Sequence, residues 1–85
     1  MKKIKCPCCG YYTIEAEGEI VVDICPVCFW QYDWVAQKYP SRIIGPNRES
    51  LNDAKRNYFE CGAYSKGVLH LVRLPLPEEF PENKR

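Results

Sequence analysis

Six cysteines, at positions 6, 8, 9, 25, 28 and 61, are the residues best suited to chemistry in this 85-residue chain. Four of them form two Cys-x-x-Cys units, which are separated by residues 10–24. Two residues between thiolates let one tight turn place both sulfurs on the same side, so two such turns can supply a tetrahedral ion. The spacing predicts one Zn²⁺ per chain, with ligands Cys6, Cys9, Cys25 and Cys28. Because protein fills all four positions, we expect a structural site without an open position for substrate.

Two other readings of these cysteines stay open at the level of sequence. Rubredoxin-type iron also uses two cysteine turns, and thiolate tetrahedra accept either metal. Disulfides are the second alternative, but the cysteine content is below that of disulfide-built secreted chains. The basic start of the chain is not followed by the apolar segment of an export signal. We therefore expect a reducing cytoplasm, where such a pattern is more often metal-binding than bridged.

Three further residues lie outside the predicted set of metal ligands. Cys8 lies between two predicted ligands, and we interpret it as a thiol beside the metal that could take part in redox chemistry. Cys61 is expected to pack as a small apolar residue. His70, the single histidine, is expected to be structural and partly buried, with replacement of one cysteine ligand as the alternative.

The strands predicted around the cysteines form a zinc-ribbon-like hairpin. Residues 2–5 read as a short strand, and residues 11–15 and 19–24 as the two arms of the hairpin. Gly10 follows the first cysteine unit, where the chain often needs a positive φ. Phe29 stands at the matching position of the second unit, so that turn is expected to relax differently or to carry strain.

The second half of the chain predicts one clear helix and one strand. Ser50 with Asp53 resembles a capping box, and Gly62 is a natural stop, which together predict a helix at about 51–61. The run after Gly67 predicts a C-terminal strand. The expected fold is a small α+β domain over residues 1–77, with a zinc-ribbon-like β-hairpin, the packed helix and this strand. An extended or disordered acidic tail is expected over residues 78–85.

Aromatic residues are concentrated between positions 29 and 39. They could wrap the small metal core, or they could form an exposed patch, since Trp and Tyr are favoured anchors at protein interfaces. The candidates for contact with a partner are Trp30, Tyr32 and Trp34.

Several segments together resemble a known family. They are Cys6-Pro7-Cys8-Cys9-Gly10-Tyr11, Cys25-Pro26-Val27-Cys28-Phe29-Trp30, Gly45-Pro46-Asn47, and Ser50-Leu51 with Ala54-Lys55-Arg56-Asn57-Tyr58. This pattern resembles the cysteine-rich CPCC family of small bacterial proteins, from Lys5 to about Pro77, and the doubled cysteine is its specific element. The resemblance implies a bacterial, cytoplasmic, metal-binding domain, and it implies no established activity.

The charge and the motifs of the chain reduce the number of function classes that fit it. The formal charge of +1 and pI near 7.6 argue against a strongly basic nucleic-acid binder. Small lysine and arginine clusters keep a nucleic-acid-binding zinc ribbon as an alternative. No nucleophile–base pair or glycine-rich phosphate loop is present, so we expect no enzyme, and no apolar run is long enough for a membrane span. We expect a non-catalytic zinc protein whose scaffold mediates interaction with another protein.

Overall fold

Two short antiparallel strands open the fold in this computed structural model, which describes residues 2–16 and 23–81. Strand β1 (Lys2–Lys5) pairs with strand β2 (Tyr12–Ala16), and Ile4 lies opposite Ile14. Ile14 is completely buried, so one face of this hairpin packs on the core. The first cysteine unit forms the connection between the two strands. The strand predicted at the start of the chain is confirmed.

The hairpin that is seen is not the one expected from the sequence. The predicted arms were residues 11–15 and 19–24, but β2 pairs with β1. Residues 17–22, which include most of the predicted second arm, lie outside the described residues. Ile24 instead forms an isolated antiparallel bridge with Gln31, on the two sides of the second cysteine unit. Each cysteine unit therefore lies at the tip of its own hairpin-like turn.

A short helix follows the second cysteine unit. Helix α1 (Trp34–Lys38) begins after Asp33, whose carboxylate accepts hydrogen bonds from the backbone N–H groups of Val35 (3.0 Å) and Ala36 (3.4 Å). This side chain satisfies N–H groups that have no partner inside the helix. Pro40 comes two residues after the last helical residue, where a proline cannot continue the helix. The aromatic segment is therefore only partly helical.

The loop before the second helix contacts the preceding segment through Gly45 and Asn47. Gly45 has φ +76°, which L side chains rarely adopt, and a Cβ atom there would displace the Asp33 carboxylate that caps α1. Asn47 is buried, and its side-chain amide accepts from the Gln31 N–H (2.8 Å) and donates to the Gln31 carbonyl (3.0 Å). The Asn47 side chain thus supplies the two backbone hydrogen bonds that a neighbouring strand would otherwise give to Gln31.

Helix α2 (Leu51–Cys61) has the bounds predicted from the sequence. The Ser50 hydroxyl accepts a hydrogen bond from the Asp53 N–H (3.1 Å), a cap that contributes about 1 kcal/mol. Gly62 ends the helix in the left-handed conformation, with φ +94°. Leu51 and Ala54 are buried, and they form the inner face of the helix.

The predicted C-terminal strand is wrong. Its first part is a 3₁₀ helix (Lys66–Leu71) whose N-cap is Ser65, and His70 on this helix is exposed rather than partly buried. Residues 72–76 are not in a strand. The alternating pattern suited a half-buried strand, but a strand also needs an edge to pair with. Within the described residues, the Arg73 N–H does not pair with a strand and donates to the Pro26 carbonyl (3.1 Å).

Residues 78–80, which fall within the segment expected to be an acidic tail, pack on the rest of the described fold. A second 3₁₀ helix (Pro77–Glu79) buries the Glu79 side chain, which is 3% exposed. Both Glu79 carboxylate oxygens bond to the Arg73 guanidinium (3.0 and 2.8 Å), and this contact lowers the pKa of Glu79. Phe80 packs edge-on against Tyr11 at 5.1 Å between ring centres. The final four residues lie outside the described part.

Candidate metal centre

The first cysteine unit is a tight turn closed by two backbone hydrogen bonds. The Gly10 N–H donates to the Cys6 carbonyl (2.9 Å), and the Cys6 N–H donates to the Tyr11 carbonyl (2.8 Å). Gly10 adopts the left-handed conformation, with φ +83°. This bend returns the chain to β2 while the sulfurs of Cys6 and Cys9 stay on one side.

The second cysteine unit repeats this geometry without the glycine. The Phe29 N–H donates to the Cys25 carbonyl (2.7 Å), and the Cys25 N–H donates to the Trp30 carbonyl (2.9 Å). Phe29 has φ +70°, so it occupies the left-handed region that L-residues enter at a cost of about 1–2 kcal/mol. Of the two expected outcomes, strain is therefore the one seen, and the turn keeps its shape.

The two turns bring four sulfur atoms together. The Cys6 and Cys28 sulfurs are 3.6 Å apart, as are those of Cys9 and Cys25, and all four lie within 4.8 Å of one another. A tetrahedron with metal–sulfur bonds of about 2.3 Å has edges of about 3.8 Å, so the cluster fits such an ion. The separations are far longer than a disulfide bond of about 2.05 Å, and all six cysteines are free. Three of the four ligands predicted from the sequence are completely buried, and Cys9 is partly buried.

A hydroxyl group that the sequence analysis missed contacts this cluster. Thr13 is buried on β2, and its Oγ1 lies 2.8 Å from the Cys25 sulfur. The Thr13 hydroxyl can donate a hydrogen bond to the Cys25 thiolate, and such bonds orient and tune metal ligands. Thr13 was hidden within an ordinary strand pattern, because regular alternation would not bury it together with its neighbour Ile14. The pairing of β1 with β2 shifts register between Ile4 and Lys5, and this irregularity lies opposite Thr13.

The clustered cysteines shift one another's pKa values in opposite directions. Hydrogen bonds from the thiols of Cys28, Cys6 and Cys9 lower the pKa of Cys25. Hydrogen bonds to Cys25, Cys6 and Cys8 raise the pKa of Cys28, and the bond to Cys25 raises the pKa of Cys9. One thiolate is thus favoured at the expense of its neighbours. A divalent cation would remove this competition, because it stabilises all four thiolates together.

The remaining candidates occupy different environments. Cys8 is buried in the first turn, in the position that Val27 occupies in the second, and its thiol is one of the groups that raise the pKa of Cys28. Cys61 is half-buried at the end of α2, with its sulfur 3.7 Å from the Ala63 carbonyl oxygen. His70 does not join the sulfur cluster.

The aromatic candidates divide between core and surface. Trp30 is completely buried and packs edge-on against Tyr64 at 5.6 Å between ring centres. Trp30 comes just after the buried second cysteine turn and is part of the core. It therefore cannot belong to an exposed patch. Tyr32 is half-buried, and Trp34 is 63% exposed on α1.

Backbone contacts from the C-terminal half hold the second turn. The Tyr64 N–H donates to the Cys28 carbonyl (2.9 Å), and the Arg73 N–H donates to the Pro26 carbonyl. The Asn57 side-chain amide then donates to the Tyr64 carbonyl (2.9 Å), which links this segment to α2. The sequence could not show these bonds, because they connect main-chain groups of residues far apart along the chain.

In residues 2–16 and 23–81, no helix combines the length and the apolar character that a bilayer span requires.

Comparisons with known proteins agree with this site. Neither a curated protein nor a solved structure gives a significant match. A family model described as cysteine-rich CPCC matches residues 4–79, a range that contains both cysteine turns and all four clustered sulfurs. The chain belongs to the cysteine-rich CPCC family.

Proposed function

We propose that this chain is a non-catalytic zinc-binding protein of the cytoplasm, in which a structural Zn²⁺ staples a small zinc-ribbon-like scaffold that mediates protein interaction. The observation that carries the proposal is the placement of four cysteine sulfurs at the spacing of a tetrahedral zinc ion. Cys6, Cys9, Cys25 and Cys28 would be the ligands.

A structural role follows from the donor set. Protein sulfurs supply four donors, and a tetrahedral ion that binds all four keeps no position for water or substrate. Zinc-finger peptides gain about 10–16 kcal/mol from such binding, which exceeds the usual stability of a small domain. Zinc bound here would therefore hold the two hairpin-like turns together.

An exposed aromatic surface supports the interaction role. Trp34 projects from α1, and the Lys38 ammonium lies 5.9 Å from its ring centre and 5.8 Å from that of Tyr39. The Arg42 guanidinium lies 5.2 Å from the Tyr39 ring centre. Exposed rings beside cations can anchor a partner through apolar and cation–π contacts.

Metal content tests the first half of the proposal. Native mass spectrometry and elemental analysis of the purified protein should give one zinc per chain. A Cys25→Ser variant should lose it, whereas the control Cys61→Ser should keep it. One iron per chain in a coloured sample would favour a one-electron carrier instead. A metal-free, folded protein would contradict the proposal.

Partner capture tests the second half. The metal-loaded protein should recover a specific protein from an extract of the source cells, and Trp34→Ala should reduce the recovery. Phe59→Ala is the matched control, because Phe59 is 92% exposed on α2, outside the proposed surface. Equal recovery by wild type and Trp34→Ala would remove Trp34 from the interaction surface.

A further inference from the structure

An open groove of about 520 Å³ lies beside the first cysteine turn. It is bounded by that turn, by the end of α1 with the residues that follow, and by the first turns of α2. Pro7, Pro40 and Leu51 contribute apolar lining, and two cysteines of the sulfur cluster, Cys6 and Cys9, also line the groove. The groove is large enough to hold a few residues of an extended chain.

The polar lining of the groove carries one sign of charge. Lys5 and Lys55 line it together with the amides of Gln37 and Asn52, and no carboxylate is among its lining residues. Lys5 and Lys55 are both exposed, and neither forms an ion pair within residues 2–16 and 23–81. A ligand that matches this lining has negative charge together with groups that pair with amides.

The lysines, rather than the start of α2, provide the attraction. The Asn52 N–H is already bonded to the Pro40 carbonyl (2.9 Å), and the Asp53 N–H to the Ser50 hydroxyl. These N–H groups are therefore not available to an incoming anion. Side-chain ammonium groups recognise carboxylates without demanding one fixed geometry.

We propose that this groove binds an acidic peptide segment of a partner protein. The inference rests on the proposed function, since it locates the contact through which the scaffold would engage its partner. The side-chain amides of Gln37 and Asn52 can donate to, and accept from, an extended peptide backbone while the lysines meet the carboxylates.

Single-stranded nucleic acid fits the groove less well. No aromatic ring lines it, and stacking on aromatic rings is the main sequence-tolerant contact to bases. Binding to phosphates through two lysines would be weak, since such affinity depends on several neutralised phosphates. The formal charge of the chain is only +1.

A different role for the same lysines must be separated from peptide binding. Four thiolates around a divalent ion leave a net negative charge, which nearby ammonium groups could neutralise. If that were the whole role of Lys5 and Lys55, reversing their charge would weaken metal binding, and the wild-type groove would have no affinity for acidic peptides.

The experiment uses the metal-loaded full chain at low ionic strength, with capped hexaglutamate as the probe and amide chemical shifts as the readout. Saturable shifts are expected at Lys5, Gln37, Asn52 and Lys55. Lys5→Glu and Lys55→Glu should each weaken binding about tenfold, because an attraction becomes a repulsion. Lys66→Glu is the control with the same charge change outside the groove lining, and it should change binding much less.

Each other outcome would overturn the inference. These outcomes are no saturable binding of hexaglutamate, shifts confined to other residues, an equal loss with Lys66→Glu, or tighter binding of a decathymidylate probe at the same residues. Metal content is measured by native mass spectrometry on the same samples. A wild type that holds its metal but does not bind hexaglutamate refutes only the groove, whereas a metal-free folded wild type refutes the proposed function.

Discussion

The hydrogen bond from Thr13 to the Cys25 sulfur gives the sharpest test of the metal centre. Replacing Thr13 by Val keeps the branched shape of the buried side chain and removes only the hydroxyl, so no cavity should form. A hydrogen bond to a charged group contributes about 1.5–3 kcal/mol. Because about 1.4 kcal/mol equals a factor of ten, zinc affinity should fall roughly 10- to 100-fold.

The assay is competition for zinc between the protein and a chelator of known affinity. Wild type, Thr13→Val and Thr13→Ser are compared at one pH, because thiolate ligands make metal affinity depend on pH. Thr13→Ser keeps the hydroxyl and should retain most of the wild-type affinity. Circular dichroism of the zinc-loaded variants checks that each one is folded.

Two results would refute this reasoning. If Thr13→Val binds zinc as tightly as wild type, the 2.8 Å contact contributes nothing to the metal site. If Thr13→Ser loses as much affinity as Thr13→Val, the methyl group rather than the hydroxyl supports Cys25.

Three further predictions concern the turns, the ion pair and the metal. Gly10→Ala should destabilise the protein by about 1 kcal/mol in denaturant unfolding, because alanine disfavours the φ of +83° at this position. The added Cβ would meet no atom within 4 Å, so no steric clash should add to this cost. An unchanged unfolding midpoint would contradict the prediction. Glu79→Gln should cost about 1–2 kcal/mol, a value reduced because the Arg73 side chain is 38% exposed. Since the pKa of Glu79 is lowered in the fold, its contribution is present above the ordinary value of about 4.3 and is lost as the pH falls through the folded value. The stability difference between wild type and Glu79→Gln should therefore shrink in acid, and a constant difference would exclude the ion pair. A strong chelator should unfold at least residues 1–35, and unchanged far- and near-UV circular dichroism would show that no metal staples them.

The sequence contains most of the information about local structure and about the sulfur cluster. Helix α2 was predictable because Ser50 and Gly62 mark its ends with specific backbone chemistry. The cysteine cluster was predictable because the spacing within each Cys-x-x-Cys unit restricts where its two sulfurs can lie. In both cases, residues close together along the chain determine the geometry.

Contacts between distant segments were not predictable in the same way. The run after Gly67 has the alternation of a strand, yet Lys66–Leu71 is a 3₁₀ helix. Alternation shows which residues could share a face, but it cannot show whether a sheet edge is available. Glu79 looked like part of a solvated tail because its partner Arg73 could not be recognised from sequence spacing.

The contribution of side chains to the site was also hidden. Asn47 reads as a loop residue, although its amide completes the hydrogen bonding of Gln31 beside the second cysteine turn. Phe29 gave a partial signal, since an aromatic residue where the first turn has glycine predicted either strain or a different shape. Only the structure decides between them, with φ +70°.

The two carbonyl groups of the second cysteine turn that accept from Tyr64 and Arg73 have a kinetic consequence. Separating the C-terminal segment would break both hydrogen bonds to the Pro26 and Cys28 carbonyls, and opening the cysteine turn would remove these acceptors from that segment. The two regions should therefore open as one cooperative unit, with the amide protons of Tyr64 and Arg73 exchanging at a common rate. With zinc bound, the residence time of the ion would then govern how long the C-terminal half stays closed.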